Sequence, residues 1–202
     1  RNGWDDNWNK KYENYHKDIA DLLTDEEFNN AVNSTINAHY TDRRVITSIW
    51  DLVKRLGFTG GNVMEPSAGV GHFFGLMPQE MAQNSNLKAY ELDKITGQIL
   101  SKLYPEASVR VTGYEEAVEG SNTQDLVISN VPFGKTAPFD VRYKELSKFS
   151  LHNYFIAKGI QQLKPGGLGV FITSSSSMDN GASANFREWT NNQGNADFIG
   201  AI

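Results

Sequence analysis

Apolar positions along the chain recur with two different periods, and the change falls near residue 60. Before it, Trp4, Trp8, Tyr12 and Tyr15 lie on one face of a helix, and Thr24 with Glu27 forms a capping box for a helix reaching about residue 38. Val45, Ile49, Leu52, Val53 and Leu56 then give a helical stripe, closed by Gly57. After Gly60 and Gly61, short apolar runs alternate with helical stretches. Runs at 62–66, 87–93, 108–113, 125–130, 167–174 and 197–202 predict strands, with helices near 71–77, 94–104, 148–164 and 183–193 between them. Pro105 and the Pro165-Gly166-Gly167 turn stop two of those helices. Strands alternating with helices predict an α/β fold: a mostly parallel sheet with helices on both faces, preceded by an N-terminal helical segment. The expected division is a helical segment at 1–40 and a core at 41–202. No internal repeat is evident, and the low-complexity tract at 174–177, four serines, falls in a predicted loop.

Composition narrows the classes. The chain has 202 residues, 39% of them hydrophobic, which suffices for one sizeable core and argues against disorder. No apolar run is long enough for a bilayer span, and residues 1–30 hold no signal-peptide core, so no membrane partner is expected. Cysteine is absent, which excludes disulfides, thiolate metal sites and cysteine nucleophiles, and a reducing cytoplasm is the expected compartment. The chain opens on Arg1 and stops on the apolar run 198–202, which reads as an interrupted strand, so a piece of something longer is expected.

The formal net charge is −5, unevenly spread. Residues 1–30 carry four Lys/Arg against eight Asp/Glu, whereas 131–164 carry six (Lys135, Arg142, Lys144, Lys148, Lys158 and Lys164) against Asp140 and Glu145. That local +4 reads either as a docking site for a polyanion or as a solvated face.

In an open α/β sheet, ligands bind beyond the carboxyl ends of the strands. The first predicted strand runs into Glu65-Pro66-Ser67-Ala68-Gly69-Val70-Gly71, where two glycines let the backbone turn tightly against a ligand. This is not the dinucleotide fingerprint, because Phe74 stands where the third glycine belongs, and no phosphate-binding loop with its lysine is present. Glu91, twenty residues past Gly71 at the end of the second strand, suits the hydroxyls of a ribose. Loop and acid together point to an adenosine-type ligand other than NAD. The histidines His16, His39, His72 and His152 show no metal-ligand spacing, so no metal is expected. The serine tract lacks a nucleophile elbow, and Asn185 and Arg187 read as surface residues.

The fourth strand ends in Asn130-Val131-Pro132-Phe133, which resembles the [DN]-P-P-[YF] motif of amino-group methyltransferases. The other pieces succeed one another in the order of the adenine-N6 DNA methyltransferases. Tyr40 and Thr41 resemble the cofactor-methionine motif, residues 65–71 the glycine loop, Glu91 and Leu92 the ribose strand, and Gly113-Tyr114-Glu115 the adenine-flanking turn. Residues 37–41, 151–155 and 164–167 resemble signatures of methylase-like domains in large helicase-methylase and antirestriction proteins of bacterial mobile elements. The resemblance covers about residues 24–202 and departs at Val131, where the usual motif has its first proline.

What the resemblance implies is a Rossmann-like S-adenosylmethionine-dependent methyltransferase acting on the N6 amine of adenine in double-stranded DNA. Cofactor binding would fall to Tyr40, Thr41, Glu65, Ser67, Gly69, Gly71, Glu91, Leu92, Tyr114 and Asn130, and catalysis to Asn130, Val131, Pro132 and Phe133. Asn130 Oδ1 and the carbonyl of Val131 would accept from the amine and free its lone pair. Phe133 would stack on the flipped adenine, a contact worth about 1–3 kcal/mol. The expected partner besides DNA is the remainder of a larger polypeptide with recognition or helicase domains. Two alternatives stay open: a methyltransferase for protein glutamine or RNA amino groups, and a weak or inactive cofactor- or DNA-binding module.

Overall fold

A computed structural model of the chain describes residues 22, 24, 40–192 and 195–201. The aromatic stripe at Trp4–Tyr15, Glu27 of the capping box, His16 and His39 therefore lie outside the described residues. The chain divides into two compact units, Arg1–Ala38 and His39–Ile202, and the sheet with its helices belongs to the second.

Helix α1 (Arg43–Arg55) starts where the Asp42 carboxylate accepts from the Arg44 amide, and ends at Gly57, whose φ is +92°. Its buried face is Ile46, Trp50 and Val53, rotated by about one residue from the predicted stripe, so Val45 and Leu56 are exposed. Trp50 sets the rotation. Its indole N–H donates to the Phe73 carbonyl at 3.0 Å, and a buried indole needs such an acceptor.

Next come β1 (Gly61–Glu65), α2 (His72–Gly75), α3 (Gln79–Gln83), β2 (Ser85–Glu91), α4 (Lys94–Leu103), β3 (Ser108–Val111) and β4 (Gln124–Asn130). The chain continues through α5 (Leu151–Gln162), β5 (Leu163–Ile172), α6 (Ser176–Asp179) and α7 (Ala184–Asn192). The strands form one parallel sheet in the order β3-β2-β1-β4-β5. Alternate residues along β1 and β4 feed opposite faces: Val63, Leu126 and Ile128 pack toward Trp50 and Phe73, Met64 and Val127 toward Tyr90 and Tyr154. Both faces are buried, as a parallel sheet requires.

Three local departures from the sequence expectations have physical causes. Helix α5 passes straight into β5 without a loop. Gln124 pairs with Leu163 and Leu126 with Leu168, so residues 164–167 bulge around Gly166 at φ +78°. The strand expected at 197–202 is absent from the described part: residues 197–201 pair with no strand, and Phe198 and Ile199 are exposed. An apolar run makes a strand only when a ladder receives its backbone groups. Third, the β4–β5 ladder extends past its last residue, because the Val131 amide donates to the Ile172 carbonyl at 3.1 Å.

That bond explains the residue type at 131. Val131 is fully buried and its N–H belongs to the sheet, whereas proline has no N–H to give. Val131→Pro is expected to destabilise the fold by about 1–3 kcal/mol through the orphaned Ile172 carbonyl. Urea denaturation of the two proteins checks this; equal midpoints would show the bond to be dispensable.

Candidate functional site

The strand order reverses at β1, which has β2 on one side and β4 on the other, and their carboxyl ends place Glu65, Glu91 and Asn130 at one edge. Between β1 and α2 the chain makes the glycine loop. Gly69 has φ +56° and Gly71 φ +82°, left-handed conformations that favour glycine. A Cβ on Gly71 would fall 2.5 Å from the Tyr104 ring and 2.6 Å from Leu100, whereas one on Gly69 would meet nothing within 4 Å. The loop is thus packed on one side at Gly71 and open at Gly69.

The loop is held by its neighbours. The Ala68 amide donates to the Tyr90 carbonyl at 3.0 Å, and the Gly69 amide to Glu91 Oε2 at 2.7 Å. Glu91 Oε1 accepts from the Asp93 amide at 2.9 Å, so one carboxylate fastens both the glycine loop and the turn after β2. On the other side the Ser67 hydroxyl donates to the Asn130 carbonyl at 2.8 Å and lies 3.1 Å from Ser129 Oγ. Asn130 Nδ2 in turn donates to Thr41 Oγ1 at 3.2 Å. Thr41, Asn130, Ser67, the glycine loop and Glu91 therefore form one connected set, joined from residues up to 89 positions apart.

Two carboxyls sit at that edge, Glu91 within the set and Glu65 at the end of β1. Burial, with a smaller contribution from Glu91, pushes the Glu65 carboxyl well above the usual range; it is 2% exposed and its Oε2 has no hydrogen-bond partner. Burial also raises Glu91, against the amide bonds from Asp93 and Gly69.

The remaining candidates are divided between the surface and the core. Tyr40 is exposed, its ring 5.4 Å from that of His72. Leu92 is 75% exposed beside Glu91. Phe133 is 46% exposed at the end of the motif, its ring 6.3 Å from His152, while Pro132 is half-buried. Tyr114 stands apart: at 2% exposure its ring is core, packed on Tyr90, Tyr154 and Phe155, and its hydroxyl bonds Gln162. Only its backbone remains at the turn after β3. An aromatic in the right sequence slot is drawn inward when three other rings surround it.

The basic stretch needs correction. Lys158 and Asp140 are both 0% exposed and paired with each other, and Lys164 pairs with Asp125 at the opposite end of β4. What remains on the surface is Lys135, Arg142, Lys144 and Lys148 against Glu145, a local +3.

Sequence reasoning passed over His152. Its Nε2 lies 3.1 Å from Ser150 Oγ and 3.5 Å from Ser176 Oγ, behind Phe133, and burial lowers its pKa from the usual imidazole value. Its place at the second position of α5, together with the serine tract, was the available signal. Among the described residues no group of three or more His, Asp or Glu could hold a metal, and no helix is long and apolar enough to cross a membrane.

Known proteins resemble this chain both in sequence and in fold. The family model described as Eco57I restriction-modification methylase matches residues 3–199. The defense against restriction protein B of Escherichia phage P1 is 31% identical over 150 residues, 72% of this chain; the match spans 6% of the phage protein's length. A Listeria monocytogenes protein assigned to the class I S-adenosylmethionine-dependent methyltransferases superposes with a TM-score of 0.66 at 14% identity, over 76% of this chain and 52% of that one. The modification subunit of a type I restriction enzyme from Vibrio vulnificus gives 0.59 at 16% identity, over 88% of this chain and 41% of that one. The type I restriction-modification methyltransferase subunit from Streptococcus thermophilus gives 0.58 at 15% identity, over 74% and 37%. At these identities the structural likeness establishes the fold, the Rossmann-like class I methyltransferase fold.

The buried acid offers a test of the site's electrostatics. With its folded pKa raised, Glu65 holds a proton that the unfolded chain releases as pH climbs through the usual carboxylate range, so its contribution to stability falls with rising pH there. Glu65→Gln is expected to flatten that fall in urea denaturation between about pH 4 and 8. A slope identical to that of the native chain would show Glu65 to be ionised in the fold.

Proposed function

The chain belongs to the Eco57I restriction-modification methylase family, and from that premise we propose that it binds S-adenosylmethionine along the β1–β2–β4 edge and methylates the N6 amine of adenine in DNA. The observation that carries this reading is the hydrogen-bonded set running from Thr41 through Asn130 and Ser67 to the glycine loop and Glu91.

The residues suit the cofactor. The open side of Gly69 admits a ligand close to the backbone, where a side chain would otherwise stand. Glu91 retains lone pairs for ribose hydroxyls beyond the two amides it accepts. Exposed Leu92 offers an apolar surface for an adenine ring. S-adenosylmethionine supplies a methyl group on a sulfonium, a good leaving group that needs no activation by the protein.

The chain's work is on the acceptor. An exocyclic amine on adenine is a poor nucleophile because its lone pair is delocalised into the ring. Asn130 Oδ1 and the Val131 carbonyl accept from its two N–H groups and favour a pyramidal nitrogen with the lone pair available. Because Asn130 also gives its amide N–H to Thr41, its carbonyl direction is set before the base arrives. Phe133 stacks on the flipped base. With the donor held by the glycine loop and Glu91, its methyl group would pass to the nitrogen that Asn130 and Val131 orient, the sulfur keeping the electron pair of the broken bond and one amine proton leaving to solvent. Val131 fits this reading: its carbonyl serves as proline's would, and the bond to Ile172 gives the loop the stiffness that proline provides elsewhere.

Lys135, Arg142, Lys144 and Lys148 supply a surface for DNA phosphates, and the family's larger members suggest recognition domains elsewhere in a longer polypeptide. Against a net charge of −5, the chain alone should bind DNA weakly and with marked salt dependence.

Mass spectrometry of nucleosides from DNA incubated with the chain and S-adenosylmethionine is expected to show N6-methyladenine. Asn130→Ala should reduce transfer by about a hundredfold or more, the scale of a preorganised hydrogen-bonding group, while calorimetric affinity for the cofactor changes little. Methyl transfer confined to a protein glutamine or to RNA would overturn the assigned acceptor. Lys135→Glu combined with Lys144→Glu should weaken DNA binding at low salt and lessen its salt slope. An unchanged slope would make these lysines a solvated face only.

A further inference from the structure

Lys158 is the eighth residue of α5 and is fully buried, a costly place for an ammonium group. Its Nζ donates to the Tyr114 carbonyl at 2.5 Å and to Asp140 Oδ2 at 2.7 Å, and sits 4.6 Å above the Tyr114 ring. The Tyr154 hydroxyl donates to the same Oδ2 at 2.6 Å. Asp140 Oδ1 accepts the amides of Arg142 and Tyr143, and the Asp140 amide donates to Ser147 Oγ at 3.0 Å. Nearby, Arg142 Nη1 donates to the Val118 carbonyl at 2.8 Å. Burial pushes the Asp140 carboxyl up, but the bonds from Lys158 and Tyr154 outweigh it and hold the group below the usual range.

Three segments meet at this one ammonium: the turn after β3, the long loop after β4 and the helix α5. Apolar side chains would fill the same space at less cost, since buried ion pairs replaced by packed hydrophobic residues are often neutral or stabilising. What a cation adds is direction, because it fixes a backbone carbonyl and a carboxylate at set distances. The loop it fixes follows Asn130, the last residue of β4; the carbonyl it fixes lies in the turn after β3, whose last residue, Val111, pairs with Glu91.

We propose that Lys158 and Asp140 are positioning residues that lock the turn at 113–118 to the loop at 131–149, so that the cofactor side and the acceptor side of the edge keep one relative geometry. The cofactor half of this rests on S-adenosylmethionine binding at that edge, as proposed above; the locking of the two segments does not.

The test uses the 202-residue chain and three variants: Lys158→Met, Asp140→Asn and the two combined. Lys158→Met leaves a buried carboxylate uncompensated and is expected to unfold readily. The double variant is neutral, retains an acceptor for the Arg142 and Tyr143 amides, and is expected to recover most of the native unfolding midpoint. Despite that recovery, amide hydrogen exchange should rise together in 113–118 and 135–149, with the central sheet unchanged. Affinity for S-adenosylhomocysteine, by calorimetry, should fall by about five- to a hundredfold, the range of coupling between linked sites. A stable double variant with native exchange in both segments would overturn the proposal, as would one in which only one segment loosens. If the native chain bound no S-adenosylhomocysteine, the cofactor reading would fail, and joint loosening of the two segments would still decide the lock. If the double variant does not fold, Asp140→Asn alone, which keeps an acceptor for the Arg142 and Tyr143 amides but loses the oxygen that Lys158 and Tyr154 share, carries the same exchange measurement with the same two outcomes.

Discussion

Everything at the functional edge depends on β1 being the strand at which the parallel order reverses. With β2 to one side and β4 to the other, the crossovers leave in opposite directions and a crevice opens beyond their carboxyl ends. Parallel pairing then brings Glu65, Glu91 and Asn130 to one edge without any of them being neighbours in sequence. The hydrogen bonds from Ser67 to Asn130 and from Gly69 to Glu91 refine that arrangement by fastening the loop of the central strand to both flanking strands. Were β1 at the edge of the sheet, the same residues would lie apart.

This edge was largely legible in the sequence, and the reasons are local. The glycine loop announces itself because left-handed backbone and a crowded position beside Tyr104 leave little but glycine at Gly71. The cores of β1 and β4 are short apolar runs, the signal that periodicity carries best, whereas β5 begins directly at the end of α5 and takes in the Pro165-Gly166-Gly167 turn. Asn130 drew notice through the motif that it opens at the end of β4, Asn130-Val131-Pro132-Phe133. Less legible was whatever depends on three-dimensional surroundings. The face of α1 turned on one indole N–H finding the Phe73 carbonyl. Tyr114 occupies the expected turn but is claimed by the rings around it. The apolar run at 197–201 has a strand's composition but no ladder.

Charge was the quantity most misread. A count along residues 131–164 treats every lysine alike, yet burial divides them into three kinds. Lys158 is an internal fastening, Lys164 neutralises Asp125 near the β5 bulge, and Lys135, Lys144 and Lys148 face solvent. The same principle governs the acids, where Glu65 is driven toward its neutral form while Asp140 is kept charged by its partners. Val131 belongs here too. Measured against a motif it is a departure, but measured against the ladder it is the residue that lets β4 hold β5 for one step more.

The central claim is that a methyl donor lies along this edge with its reacting end toward Asn130. A crystal structure of the chain with S-adenosylhomocysteine tests it most directly. The account expects the ribose hydroxyls on Glu91, the chain of the ligand passing the open side of Gly69, and the sulfur on the Asn130 side of the crevice. A ligand bound elsewhere on the chain, or one seated with its sulfur turned away from Asn130, would contradict it.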